Sequence, residues 1–335
     1  MFDVIQDVDS WLNIYHQLPE PKTFLHPNYV RAAATLEDDG HAELAVWVTD
    51  DTLIAHPYVR RKIPSAPSHT DIISAFEFGG FWISRLEEPE TAKAVDKFLC
   101  AFDNYCRDQS IISEFVRFHP FLKRPSCLTE IYSVRKHADN IILRLNRPYA
   151  EIFASYHNSK QKQVRQGRRQ GLQISPSGDL ETFVSVYHEN LDRLEAAEFY
   201  YFPISFFNEI KEFTDLRMVY DADQDLCAAH CYLRDGDILH AFLCHARAPK
   251  LSLRPNDYAY DEVIAQSLKN FGVFHFGGGA PSLAAYKRQF SSQSIPYFTG
   301  TRIFLPELYE DFTRARNAEN RQTHVSGYFP AYRAS

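Results

Sequence analysis

Phe274-His275-Phe276 runs into Gly277, Gly278 and Gly279, and Tyr286-Lys287 follows within one helical segment's length. Glycine has no Cβ, so backbone at such a turn can approach a ligand closely and take positive φ. A lysine just beyond it can meet a negative group held there. A glycine run alone equally describes an ordinary strand-to-helix turn with a solvated lysine. The second stretch able to do chemistry is Lys160-Gln-Lys162-Gln-Val-Arg165-Gln-Gly-Arg168-Arg169, a cationic run with no Asp or Glu between Glu151 and Asp179. In a helix Lys162, Arg165 and Arg169 share one face, and Lys160, Val164 and Arg168 another. Solvated helix faces normally mix signs to gain i,i+4 pairs. A purely cationic one, in a chain of net charge -7, suits a phosphate or an RNA backbone.

These residues need scaffolds to hold them. At 335 residues the chain is too long for one ordinary core, so two domains are expected. The acidic balance excludes a general electrostatic glue for nucleic acid and leaves any RNA contact to a local patch. With 26 Phe and 19 Tyr the chain favours sheets and aromatic-lined clefts. Met1 to Asp7 has neither the basic start nor the apolar run of a signal peptide. No window approaches the roughly 18 apolar residues that span a membrane. Six Cys without a regular framework point to reduced thiols, hence to a cytoplasmic protein.

Strands are expected at 43–49 and 52–59 around Asp50-Asp51, at 72–78 after a loop over 64–68, at 113–119 and at 141–145. A helix is expected at 90–108, with Ala94, Phe98, Ala101, Phe102 and Tyr105 recurring at helical spacing. After Pro148 come the basic helix, a helix at 179–194 with Asp179 as N-cap, and a third at 204–213. Strands at 217–220, 226–233 and 238–245 follow, the last two a hairpin about Asp235-Gly236. Helix 257–270 and strand 273–276 close the pattern. Two helices, three antiparallel strands, helix, strand is the order of a GNAT-type acyltransferase core. The first half carries a weaker version.

Ser159-Lys160-x-Lys162 with Gly171 beyond it, the glycine-rich strand end, Tyr286-Lys287-x-x-Phe290 and Arg117-Phe118-His119-Pro120 together resemble the Fem-type aminoacyl-tRNA-dependent transferases. The resemblance runs with gaps from about Phe24 to Phe298. It implies an α/β (α+β) protein of two GNAT-like domains, each a mixed, largely antiparallel sheet flanked by helices. Domain 1 would span 1–145, completed by 306–335, and hold the acceptor. Domain 2, 146–305, would hold the aminoacyl-tRNA end. The long helical arm of some members is absent. By the same resemblance Lys287 matches the lysine near the aminoacyl ester and Tyr286 an aromatic beside it, able to stack on the terminal adenosine. Lys160, Lys162, Arg165, Arg168, Arg169 and Gly277 to Gly279 would serve the tRNA. Arg31, Arg60, Arg61, Arg193 and His119 are the acceptor-side candidates; His119 stands where the family has Asp, so an acidic role does not carry over. An aminoacyl ester is already activated, so no covalent enzyme intermediate and no cofactor are implied. The reading is of a monomeric transferase joining an aminoacyl group to an amine on a small or peptidyl acceptor, a peptidoglycan precursor or a secondary metabolite.

The rival is an acyl-CoA-dependent N-acyltransferase, since fold does not fix function. CoA enzymes of this fold cradle pyrophosphate at a glycine-containing loop before a helix N-terminus. Here that junction, 246–257, has no glycine, two prolines lacking N–H donors, and Asp257 already answering the helix dipole. Arg247, Lys250 and Arg254 keep the rival open. With that hairpin Cys231 would pair with His240 and Cys227 with Cys244 on one face, a set able to hold zinc; buried thiols packing as small apolar groups account for the same residues, and no metal is expected.

Overall fold

The computed structural model describes residues 1–335 apart from 21, 38, 50, 85–88, 124–127, 320–326 and 335. The expected turn at Asp50 lies outside them. The chain divides into two compact units, Met1–His137 with Tyr297–Ser335, and Ala138–Pro296.

The first unit begins with β1 (Phe2–Ile5), α1 (Val8–Tyr15), α2 (Pro27–Ala34), β2 (His41–Val48), β3 (Leu53–Ile63), β4 (Ala66–Ile73) and β5 (Trp82–Ile83). Then come α3 (Pro89–Asp108), β6 (Ile111–Phe118) and α4 (Leu128–Ile131). The strands β1 to β4 pair antiparallel in order. The long crossover through α3 lets β6 lie parallel to β4. Residues 66–68, expected as loop, are strand: β3 and β4 form a tight hairpin with a register shift at Lys62/Ile63. Helix α3 buries Val95, Phe98, Leu99, Phe102 and Cys106 against Ile54, Tyr58, Ile111 and Val116. Ala94, Ala101 and Tyr105, expected within the stripe, flank it half-buried.

The second unit takes its first strand from β7 (Ser133–Arg144), followed by α5 (Tyr149–Ser155), α6 (Asn158–Arg169), β8 (Gln173–Ile174), α7 (Leu180–Arg193) and α8 (Ile204–Ile210). Next are β9 (Thr214–Tyr220), β10 (Leu226–Asp235), β11 (Ile238–Ala246), α9 (Pro255–Ser267), β12 (Val273–Gly277) and α10 (Pro281–Lys287). The strand order is β7-β12-β11-β10-β9-β8. All neighbours are antiparallel except β11 and β12, which α9 joins as a parallel pair. Asp179 caps α7 as expected, accepting from Thr182 N at 2.8 Å. Gly167 lets α6 lie on α9, because a Cβ there would meet Leu172 and Tyr258 at 3.1 Å.

The chain then returns to the first unit through β13 (Ser294–Ile303), which pairs antiparallel with β6, and α11 (Pro306–Glu319). Strands β7 and β13 each run through a unit boundary. The divisions therefore fall inside strands, not at 145/146 and 305/306 beyond their ends. Tyr332 is buried with Ile63 and Ile112.

The β10–β11 register corrects the expected hairpin. Asp235 faces Ile238, so the turn is Gly236-Asp237, with Gly236 at φ 59°. His240 lies opposite Leu233 and Cys244 opposite His230. The cross-strand pairs supposed for a zinc set, Cys231 with His240 and Cys227 with Cys244, do not form. A bulge makes Phe242 the extra residue, since Tyr232 pairs with Ala241 and Cys231 with Leu243.

Candidate active site

Strand β12 ends at Gly277, whose φ is 74°, and Gly279 follows at 125°. Both values lie where glycine is the ordinary residue. The turn delivers the chain to α10, which opens on Pro281 and carries Lys287 in its last turn. Lys287 is buried and its Nζ donates to the Gly278 carbonyl at 2.6 Å. A Cβ on Gly277 would lie 3.6 Å from that Nζ, an ordinary contact, so the positive φ and not the lysine is what calls for glycine there. At Gly278 a Cβ would meet Asn140 Oδ1 of β7 at 2.9 Å. The turn thus seats one lysine through the Gly278 carbonyl.

The basic helix, more than a hundred residues earlier in the chain, docks on the same element. The backbone N–H of His157 donates to the Gln289 carbonyl at 2.8 Å, and Ser159 Oγ bonds Gln289 Oε1 at 3.2 Å. Lys160 does not reach solvent, contrary to the expectation of a phosphate contact. Its side chain is 1% exposed, and Nζ lies 2.5 Å from Asp257 Oδ1 and 4.0 Å from the Tyr286 ring centroid. Burial pulls the Lys160 ammonium below its ordinary pKa, and Asp257 opposes that pull. Tyr286 donates its hydroxyl to Asp257 at 2.7 Å. Burial first, then the neighbouring carboxylate, holds that hydroxyl well above its usual pKa. With its ring over Lys160 and its hydroxyl tied down, Tyr286 is a wall of the site and not an open stacking platform. Lys162, Arg165 and Arg169 are exposed on the face the spacing gave them. Arg168 is bound to Asp261 at 2.6 Å, Glu262 at 2.9 Å and Tyr149 at 2.8 Å, which clamps α6 to α9.

The 246–257 junction coils as a 3-10 helix over Ala248–Leu253, then turns at Arg254 in the left-handed region. Lys250 Nζ lies 2.6 Å from Asp221 and 2.8 Å from Asp225, and Arg247 Nε 3.0 Å from Glu189. Two of its three cations therefore already face acids. The buried Asp257 in the first turn of α9, paired with Lys160, puts a carboxylate where an anionic ligand would go. Sequence reading missed two features here. One is this pair, whose only signal was the acid at the helix start. The other is the bulge at Phe242, whose backbone leaves the regular ladder two residues before Cys244, a thiol that feels the charge of Lys287.

The acceptor-side candidates separate sharply. Arg31 is exposed at the end of α2. Arg60 bonds Thr70 at 3.0 Å and the Gln109 carbonyl at 2.9 Å. Arg61 is buried between Glu37 at 2.7 Å and Asp71 at 2.6 Å, so its charge is committed to the fold. His119 is buried with Phe24, Phe78 and Phe121 around it, and its Nδ1 accepts from Phe121 N. Arg193, in the second unit, is exposed and donates to Asn190 at 2.8 Å. Among the described residues no helix is long and apolar enough to cross a membrane.

No protein-family model matches the sequence, and no curated protein matches it. Solved structures do. FemX is similar at TM-score 0.69 and 10% identity, over 92% of this chain and 99% of that one. L-PGS from Bacillus licheniformis is similar at 0.52 and 12%, over 89% and 92%. A tandem GNAT protein from the clavulanic acid biosynthesis pathway is similar at 0.50 and 8%, over 91% and 99%. The chain has a Fem-like fold of two GNAT-type units.

Proposed function

We propose that the protein is an acyltransferase that moves an aminoacyl group from aminoacyl-tRNA to an amine of a peptidyl or small-molecule acceptor, forming an amide. The observation that carries this reading is the assembly at the end of β12. A buried lysine lies against a glycine turn, an exposed cationic helix face is tethered beside it, and the N-terminus of α9 is filled by its own Asp257–Lys160 pair. The first two suit an ester at the end of a polyanion. The third disfavours CoA pyrophosphate at that helix.

In the reaction the acceptor amine attacks the ester carbonyl, the C–N bond forms, and the ester C–O bond breaks to leave the tRNA hydroxyl. Lys287 stands against the oxyanion that develops. Lys162, Arg165 and Arg169 follow the tRNA backbone. Lys160 and Tyr286 hold the wall behind Lys287. The first unit holds the acceptor, with Arg31, exposed at the end of α2, as its candidate contact. FemX and L-PGS share the fold, and transfer of an aminoacyl group agrees with the Fem-type motifs.

Purified protein offered charged tRNAs and acyl-CoAs with a panel of amines tests the donor. Transfer from charged tRNA is expected, and transfer from acyl-CoA alone would replace this reading. Lys287→Ala should lower turnover about 10²- to 10³-fold with acceptor KM little changed. Undiminished turnover would remove Lys287 from the chemistry.

A further inference from the structure

We infer that the stretch from Leu194 to Ile204 is a binding surface for the acceptor, and that the acceptor is an amine carried on an apolar or aromatic body. This rests on the transfer reaction proposed above and names the class of its acceptor. Leu194 is 56% exposed, Phe199 46%, Tyr200 49% and Ile204 39%. Among the described residues no other run of that length exposes more than one large apolar side chain. Single exposed apolar residues are ordinary, whereas a contiguous group of them marks a contact surface.

The surface is held ready. Tyr187 donates its hydroxyl to the Tyr200 carbonyl, His188 Nε2 donates to the Phe202 carbonyl at 3.0 Å, and Tyr201 donates to Asp192 at 2.8 Å. Phe202 is buried against Tyr187 and Phe206. These ties fix the backbone of the stretch while the Phe199 and Tyr200 rings, edge to face at 5.5 Å, stay exposed. A ligand meeting them has little ordering left to oppose it.

The stretch also stands at the catalytic end of the second unit's sheet. Strand β12 ends at Gly277, and the pairing of His275 with His240 puts Gly277 level with Phe242 of the parallel β11. Helix α7 enters the stretch by packing its last turns on the end of β11. Asn190 Nδ2 lies 2.9 Å from His245 Nδ1, and Arg247 Nε lies 3.0 Å from Glu189. His245 is three positions past the level of the turn that seats Lys287, about 10 Å along the strand.

Charge selects the occupant. Glu195 and Glu198 are exposed within the stretch, and neither pairs with a cation among the described residues. Arg193, an acceptor-side candidate at its border, donates to Asn190. Two carboxylates repel a polyanion, so tRNA is not what covers these rings. They draw a protonated amine toward this end of the sheet, and the rings cover the apolar part attached to it. The amine that forms the amide must come from the acceptor, so both features of the surface match one molecule.

Isothermal titration of the whole protein, with no donor present, compares 4-phenylbutylamine, n-butylamine and 4-phenylbutyrate. The first should bind about tenfold or more tighter than either of the others, one of which lacks the ring and the other the positive charge. Phe199→Ser with Tyr200→Ser should remove the preference for the ring, since the Tyr200 carbonyl keeps its tie to Tyr187. Glu195→Gln with Glu198→Gln should bring phenylbutylamine and phenylbutyrate closer together. Equal affinities for the three probes, or a ring preference that survives the double Ser variant, overturns the proposal. Self-association in analytical ultracentrifugation that the Ser variant abolishes would also overturn it, because a second copy would then own the surface. With charged tRNA as donor, acceptor KM should follow the same order as binding. If no charged tRNA is a donor while the probe order holds, the donor reading fails and the acceptor surface stands. Transfer from tRNA to phenylbutylamine and butylamine at equal KM keeps the donor reading and overturns this one.

Discussion

At the scale of single residues, the site separates cations that look alike in the sequence. Lys160 and Lys162 are two residues apart on one helix, yet one is sealed against Asp257 and the other faces water. Removing one member of a buried pair strands the other charge at a penalty of about 3–5 kcal/mol, while an exposed lysine changes stability by only about 0.5 kcal/mol either way. Lys160→Met should therefore lower the urea midpoint strongly, and Lys162→Met should leave it where it is. Adding Asp257→Asn to Lys160→Met should recover part of the loss, because the double variant no longer buries a lone carboxylate. Equal midpoints for the two lysine variants would show that Lys160 is not held as described. The same contrast explains what the sequence could not tell. Helical spacing separated the two faces of α6, but only the partner supplied by α9, nearly a hundred residues on, decides which face is inside.

At the scale of elements, periodicity was legible and pairing was not. The helices over 89–108 and 180–193, the N-cap at Asp179 and the strand–helix–strand run of β11, α9 and β12 follow from local pattern alone. The β10–β11 register and its bulge do not, because a bulged strand and a regular one share the same alternation of side chains. Nor does the docking of Tyr332 and Arg333 on Asp71, from an aromatic and a cation in a stretch without periodicity. The cationic face of α6 has a consequence of its own. If Lys162, Arg165 and Arg169 each meet a phosphate, changing all three to Gln should weaken tRNA binding. It should also flatten the slope of log affinity against log salt by about 2 to 3. Titration by fluorescence anisotropy at several salt concentrations measures this. An unchanged slope would place the tRNA elsewhere.

At the scale of the whole molecule, buried histidines link stability to acidity. Burial lowers His230 to about 4, against a weaker upward pull from its hydrogen bond to Asn256. Burial lowers His245 to about 3, helped by the nearby charges of His230 and Arg193. Both belong to the second unit, on the paired strands β10 and β11. The unfolded chain takes up protons at these residues below about pH 6.5, and the folded unit refuses them until about pH 4 and about pH 3. Protons thus favour the unfolded chain across that window, and stability is full above pH 6.5 and declines as pH falls through it. For His230 the whole decline amounts to about 3 kcal/mol, at roughly 1.4 kcal/mol per unit of pKa difference. His230→Gln removes the proton uptake while keeping a polar side chain for Asn256 and Tyr232, so its stability should fall less steeply between pH 6.5 and 4 than that of the unsubstituted protein. Denaturant unfolding at half-unit pH steps reads the two slopes, and His245→Asn provides an independent second line. Parallel curves for all three proteins would mean that neither His230 nor His245 links acid to the stability of this fold.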